Sequence, residues 1–256
     1  MTGSPQAARV EITGATRSFV ETGLVVDNLD LSIEPGEFVA LLGPSGCGKS
    51  TLLRMIAGLD NPNSGRVDVS VGLGGRGFVF QEAQLLPWRT ALSNTALPLE
   101  LLRRSRENSQ ADPRSAARAA LEKVGLSDSL NKYPAQLSGG MKMRVSVARA
   151  LVAEPKLLLL DEPFAALDEN TRYRLQEDLR ALWQKTRMTV VFVTHSVSEA
   201  AFLADRAVVL SARPAGVVLD RRTQLSFARD RATRTDPAYL REIETLTSAF
   251  REGESK

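Results

Sequence analysis

The chain has 256 residues, 43% of them hydrophobic and 25% charged, with a formal net charge of +3. That balance is ordinary for a globular protein with room for a real hydrophobic core, and it is too mildly basic to argue for nucleic acid. A single cysteine, Cys47, excludes an internal disulfide and fits a reducing compartment.

The longest apolar runs, Leu157–Leu160 and Val190–Val193, are strand-sized, far short of the roughly 18 residues a membrane span needs. The N-terminus lacks a basic segment followed by an apolar one, so no signal peptide is expected. Work at a membrane therefore implies docking on a partner that spans it.

In chain order, Arg9–Thr13 and Leu29–Ile33 alternate apolar and polar residues and predict short, half-buried strands. Pro35-Gly36 predicts a turn. Phe38–Leu42 is continuously apolar, as in a strand buried on both faces. A glycine-rich loop follows, then a predicted helix over Lys49–Leu59. Val67, Val69 and Phe78–Phe80 mark further strands.

Residues 82–155 carry helical periodicity. Within them Arg103–Arg118 is polar and basic, an exposed connection and helix start. Its solvated face is the reading adopted, with contact to anionic lipid as the alternative. Strands return at Leu157–Leu160, Thr189–Val193, Ala207–Leu210 and Val217–Leu219. Between the first two lies an amphipathic helix with Leu175, Leu179, Leu182 and Trp183 on one face. The Arg-rich tail is predicted helical from Pro237 with a frayed end. Strands alternating with helices imply a mainly parallel α/β core, and the helical insert makes a second lobe.

Gly43–Ser50 reads G-P-S-G-C-G-K-S, a phosphate-loop pattern between a buried strand and a helix. Its glycines let successive N–H groups of Gly43, Pro44, Ser45, Gly46, Cys47 and Gly48, proline excepted, curl toward phosphate oxygens. The helix N-terminus adds positive potential. Lys49 brings a full charge to the β- and γ-phosphates, Ser50 can ligand Mg²⁺, and Thr51 can donate to the α-phosphate. Only the backbone of Cys47 is needed, and a redox role is the alternative. Downstream, Leu157–Leu160 delivers Asp161 and Glu162 at a strand end, where ligands of open parallel sheets sit. Asp161 is placed to hold Mg²⁺ and Glu162 to polarise an attacking water as general base.

Leu137–Met141 reads L-S-G-G-M and precedes a basic helix and the acidic strand. Here the chain resembles the ABC-type ATPases, departing from their usual L-S-G-G-Q at Met141 and again at Met143. The resemblance spans roughly residues 10–220. It implies an α/β fold with a P-loop NTPase (RecA-like) core, an N-terminal antiparallel β subdomain and an inserted α-helical subdomain. On it, 1–256 is one ATPase domain, with 1–84 and 156–225 the catalytic lobe, 85–155 the helical lobe and 226–256 a tail.

By the same resemblance Gln81 matches the glutamine that ligands Mg²⁺ and water, and Asp168 matches an aspartate crossing a dimer interface. His195, the only histidine, matches the residue contacting the γ-phosphate. Phe19 matches the aromatic stacking on adenine, with a core position in the first β-lobe as its alternative. Ser138, Gly139 and Gly140 then face the γ-phosphate held by a second subunit. ATP and Mg²⁺ are the implied ligands and a homodimer the implied assembly.

The segment after Gln81, E-A-Q-L-L-P-W-R-T-A-L-S-N, and Val209–Pro214, V-L-S-A-R-P, resemble the importer subgroup for nitrate, aliphatic sulfonates and taurine. That implies a separate permease docking near Leu85, Leu86 and Trp88, with Trp88 packed internally as the alternative. It also implies an extracytoplasmic binding protein and a peripheral place on the cytoplasmic face of the cell membrane. Nucleic acid is not expected as a partner. A soluble ATPase acting in cofactor assembly, or on nucleic acid or the ribosome, is the competing function.

Overall fold

Three apolar strands set the architecture of the computed structural model, which describes residues 7–105, 112–165 and 167–255. Strands β3 (Phe38–Leu42), β6 (Leu157–Asp161) and β7 (Thr189–Thr194) are buried at every position. Successive side chains of a strand leave on opposite faces. Accordingly Phe38, Leu158, Leu160 and Phe192 join one core cluster, while Val39, Leu41, Leu159 and Val191 join another. A sheet covered on both faces needs no polar alternation, which is why these runs are uninterrupted.

The sheet order is β5-β6-β7-β3-β8-β9, with β5 at Arg76–Val79, β8 at Arg206–Leu210 and β9 at Val217–Arg222. Neighbours are parallel except β8 and β9. Strand β5 stops one residue before the predicted Phe80, whose ring instead packs on Phe78 at 4.3 Å between centroids.

One face of the sheet is covered by α1 (Lys49–Ala57) and by a second sheet. That sheet joins β1 (Val10–Phe19), β2 (Gly23–Ile33) and β4 (Ser64–Val69), all antiparallel, in the order β2-β1-β4. Its first two strands are ten and eleven residues long, longer than the predicted segments. Register shifts between Ile12 and Ser18 break the two-residue alternation that a sequence reading follows.

The other face is covered by α5 (Glu169–Thr186), α6 (Val197–Leu203) and α7 (Pro237–Glu254). The predicted apolar face of α5 is buried at Leu175, Leu179 and Trp183, and Gln176 and Arg180 are buried beside it. The predicted frayed end is a docked one. Tyr239, Leu246, Ala249 and Gly253 of α7 are buried at helical spacing. The Gly253 carbonyl accepts the Ala212 N–H at 2.7 Å.

Helices α2 (Ala91–Ser105), α3 (Pro113–Lys123) and α4 (Gly139–Leu151) bury a cluster of their own around Leu92, Leu121 and Val145. Residues 81–90 are irregular, against the helical periodicity expected from 82. Asn94, fully buried on α2, replaces the missing helical bonds. It donates to the carbonyls of Leu86, Arg89 and Thr90 and accepts from Leu86 N–H, at 2.8–3.1 Å. Of the basic stretch Arg103–Arg118, residues 106–111 lie outside the described residues, and Asp112 caps α3 through its bonds to Arg114 and Ser115. Among the described residues no helix is long and apolar enough to cross a membrane.

Candidate active site

Strands β5, β6, β7 and β3 are adjacent and parallel, so their C-terminal ends share one edge. Gln81 follows β5, Asp161 and Glu162 end β6, His195 follows β7, and the glycine-rich loop follows β3. Residues scattered over the sequence are thereby brought to one place, the usual ligand edge of an open parallel sheet.

The loop borders a cleft of about 330 Å³ lined by Ser45, Gly46, Gly48, Lys49, Ser50 and Thr51, whereas Gly43, Pro44 and Cys47 do not line it. Gly48 has a φ of 120°, and a Cβ there would meet Val25 at 3.0 Å, so the turn into α1 requires glycine. A Cβ on Gly43 would meet Cys47 Sγ and the Leu210 carbonyl, both at 3.1 Å. Helix α1 has no side-chain N-cap and no acidic residue in its first turn. Its free N–H groups and positive end are therefore available to an anion.

Lys49 is buried, and its Nζ donates to the Gly43 and Pro44 carbonyls at 2.7 Å each. The ammonium thus holds the loop curled before any phosphate arrives. Cys47 is 1% exposed, and burial pushes its thiol up, with Lys49 opposing. A buried thiol of raised pKa is a poor nucleophile, which weighs against the redox alternative.

Asp161 Oδ1 accepts from Ser50 Oγ at 2.9 Å. Asp161 is buried, and that burial raises its carboxyl pKa while the Ser50 hydrogen bond opposes the shift. A buried carboxylate beside a hydroxyl fits Mg²⁺, an ion that takes one or two protein oxygens and completes its shell with phosphates and water.

Glu162 Oε2 lies 3.0 Å from His195 Nδ1. Glu162 sits in the left-handed region at φ 45°, a strain of about 1 kcal/mol or more for a non-glycine residue. Its N–H is anchored to the Val193 carbonyl at 3.0 Å. A carboxylate so fixed at the cleft wall, beside a half-exposed imidazole, can accept a proton from water. Gln81 lines the same cleft.

At the far end, Phe19 lines the cleft and is 37% exposed, so it is not the core residue of the alternative reading. The Arg17 guanidinium backs its ring at 4.4 Å and is itself bound to Asp60 at 2.8 Å. Ser138 caps α4 by accepting from Met141 N–H at 3.3 Å, and Asp168 caps α5 by accepting from Thr171 N–H at 3.0 Å. That hydrogen bond holds the Asp168 carboxyl below its ordinary range. Ser138, Gly139 and Asp168 are exposed, and neither they nor Gly140 line the cleft.

The ABC transporter family model matches residues 26–165. This chain belongs to the ABC transporter family. The cassette is 51% identical over 226 residues to the aliphatic sulfonates import ATP-binding protein SsuB of Mycobacterium sp. (strain MCS), covering 88% of each chain. It is 45% identical over 195 residues to the bicarbonate transport ATP-binding protein CmpD of Synechocystis sp. (strain ATCC 27184 / PCC 6803 / Kazusa), covering 74% of this chain and 68% of that one. A solved dimeric ATP-binding cassette in a post-hydrolysis state, bound to ADP and Pi, matches with a TM-score of 0.76 at 32% identity. That match covers 85% of this chain and all of the other. The chain is an ATP-binding and ATP-hydrolysing cassette.

Beyond Thr22 and Val25, which also line the cleft, two charged residues at the site have no counterpart among the sequence-predicted ones. Arg213 lines the cleft and clamps the β1–β2 turn, donating to the Leu24 carbonyl at 2.9 Å and to that of Thr22. Its signal was the Arg-Pro pair of Val209–Pro214. Glu199 is buried, and its spacing from Ser196 reads as an ordinary capping box. Its carboxylate turns inward instead and accepts from Thr194 Oγ1 at 2.6 Å. Burial pushes this carboxyl up, against the Thr194 bond.

Proposed function

We propose that two copies of this cassette hydrolyse Mg²⁺·ATP between them and thereby power import of a small anion through a separate permease. One observation carries the shared site. The phosphate loop and Glu162 line the cleft, with His195 bonded behind Glu162, while Ser138 and Gly139 stand exposed and away from it. The domain division is 1–84 and 156–225 for the catalytic lobe, 85–155 for the helical lobe and 226–256 for the tail.

In this reading the loop N–H groups and Lys49 cradle the phosphates, Thr51 donates to the α-phosphate, and Phe19 stacks on adenine. Ser50, Asp161 and Gln81 would hold Mg²⁺, which when bound neutralises charge on the β- and γ-oxygens. Glu162 accepts the proton of the water whose oxygen bonds to the γ-phosphorus as the bond to the ADP oxygen breaks. His195 orients Glu162 and contacts the γ-phosphate. Ser138, Gly139 and Gly140 of the second copy close over that phosphate and exclude water, and Asp168 crosses the interface.

The loop after Gln81 is the docking element. Leu85 packs into the helical cluster, leaving Leu86 and Trp88, the latter 71% exposed, to receive an apolar helix of the permease. Arg149 of α4 donates to the carbonyls of Ala83 and Gln84 at 2.9 and 2.8 Å. Closure of Ser138 at the start of α4 is thus tied to the docking loop. The cassette sits on the cytoplasmic face of the membrane. Relatives named for aliphatic sulfonates and bicarbonate support a small anion as cargo, selected by the permease and an extracytoplasmic binding protein.

The test is to trap tagged Glu162→Gln with ATP in gently solubilised host membranes and identify what copurifies. A polytopic permease is the expected result, one that takes up a sulfonate or bicarbonate on ATP addition when reconstituted with the unsubstituted cassette and its binding protein. A soluble protein, nucleic acid or ribosomes in its place would overturn the importer reading.

A further inference from the structure

Behind His195 a second hydrogen-bonded system runs back to the C-terminal segment. Thr194 Oγ1 donates to Glu199 Oε2 at 2.6 Å and accepts from Ser196 N–H at 3.0 Å, so one hydroxyl ties together both neighbours of His195. Gln176 Nε2 donates to the other oxygen of Glu199 at 3.3 Å. Gln176 Oε1 accepts in turn from Arg234 Nη2 at 2.7 Å. The Arg234 guanidinium lies over Phe202 at 3.7 Å and over Tyr173 at 4.2 Å from the ring centroids. Arg172 also faces Glu199, with Nε at 3.9 Å.

A second tie joins the C-terminal segment to α6 directly, because Tyr239 of α7 donates to the Ser198 carbonyl at 3.0 Å. Thr194, Gln176 and Glu199 are all buried. A buried carboxylate is destabilising unless each oxygen is satisfied, and an apolar side chain would fill the space at less cost. Here both oxygens are satisfied, one by the residue preceding His195 and one by the residue that Arg234 holds. A small cavity of about 60 Å³ is lined by His195 and Glu199, so the imidazole has room to move once its anchor is lost.

We propose that Glu199 is a positioning residue for His195 and that Arg234 is the handle by which the C-terminal segment sets it. This assigns the Arg-rich tail a role in the chemistry at the cleft, through contacts that end at the histidine loop. It rests on the reading of His195 as the γ-phosphate contact.

The chain has one histidine, so isotope labelling of histidine gives a single Cε1–H signal from the full-length protein. Arg234→Ala and Glu199→Gln are each expected to shift that signal without nucleotide. Both should lower kcat for ATP roughly tenfold, with KM within about twofold, as misplacement of a reacting group does. Arg234→Lys, which retains a donor, should restore part of both. Arg231→Ala, on the exposed surface of the same segment, should leave both unchanged. An unmoved histidine signal in Arg234→Ala, whatever its melting temperature, would overturn the proposal, and that variant carries the test even where Glu199→Gln fails to fold. Failure of the underlying reading shows separately, as full turnover in His195→Ala.

Discussion

The sheet edge and the helical side of this cassette are built in opposite ways. On the sheet edge every charged group already has a partner within the chain: Lys49 on loop carbonyls, Asp161 on Ser50, Glu162 on His195. On the helical side Ser138, Gly139 and Trp88 are exposed, each supported only from behind, by the α4 cap or by Asn94 and Arg149. Groups that must act on phosphate charge are preorganised, because rearranging them during the reaction would forfeit their electrostatic advantage. Groups that the proposed function assigns to meeting another protein are left bare but held from behind, because ordering a loose loop on binding weakens association.

The contrast can be broken most severely at the preorganised edge. Glu162→Gln should bind ATP normally and lower turnover by about two to four orders of magnitude in a steady-state phosphate-release assay. Near wild-type turnover would remove Glu162 as the base. Cys47, on the same edge, should react with a small alkylating agent at least about tenfold more slowly than free cysteine at mildly alkaline pH, since burial raises its thiol.

Asp161 sharpens the comparison, because burial raises its carboxyl pKa. An acid whose folded pKa lies above its unfolded value, about 3.9, gives stability that is complete below that value and lost as pH rises through the folded one. At neutral pH the ionised carboxylate is therefore a cost. Asp161→Asn should raise unfolding stability in urea titrations at neutral pH, lose that gain as pH falls toward the unfolded carboxylate range, and abolish turnover. The smallest intrinsic effect belongs to the bare side. Leu86→Glu with Trp88→Ala should leave stability within about 0.5 kcal/mol and nucleotide turnover of the isolated chain unchanged, while removing permease copurification.

Much of this division was legible in the residues. Continuous apolar runs at Phe38–Leu42 and Leu157–Leu160 announced a sheet covered on both faces, and the glycine spacing before Lys49 announced the loop. The full length of β1 and β2 was hidden by the register shifts that interrupt their alternation. The docked tail was hidden because its apolar stripe is diluted by charges that include a buried Glu242. The irregular start of the stretch 82–155 was not separated from its helical periodicity, because that periodicity carries no trace of Asn94, which satisfies the loop backbone from the next element. Glu199 and Arg213 were missed for a related reason: each acts through a tertiary partner at a spacing that local rules assign to a cap or a turn.

The most direct measurement is the ATP-dependent association state of two variants. In sedimentation velocity with saturating Mg²⁺·ATP, Glu162→Gln should run as a dimer. Adding Ser138→Arg to it should give a monomer that still binds ATP, because the phosphate loop is intact while the second half of the site is blocked. A shared site is contradicted if the doubly substituted chain dimerises as well as Glu162→Gln does, or if Glu162→Gln stays monomeric with ATP bound.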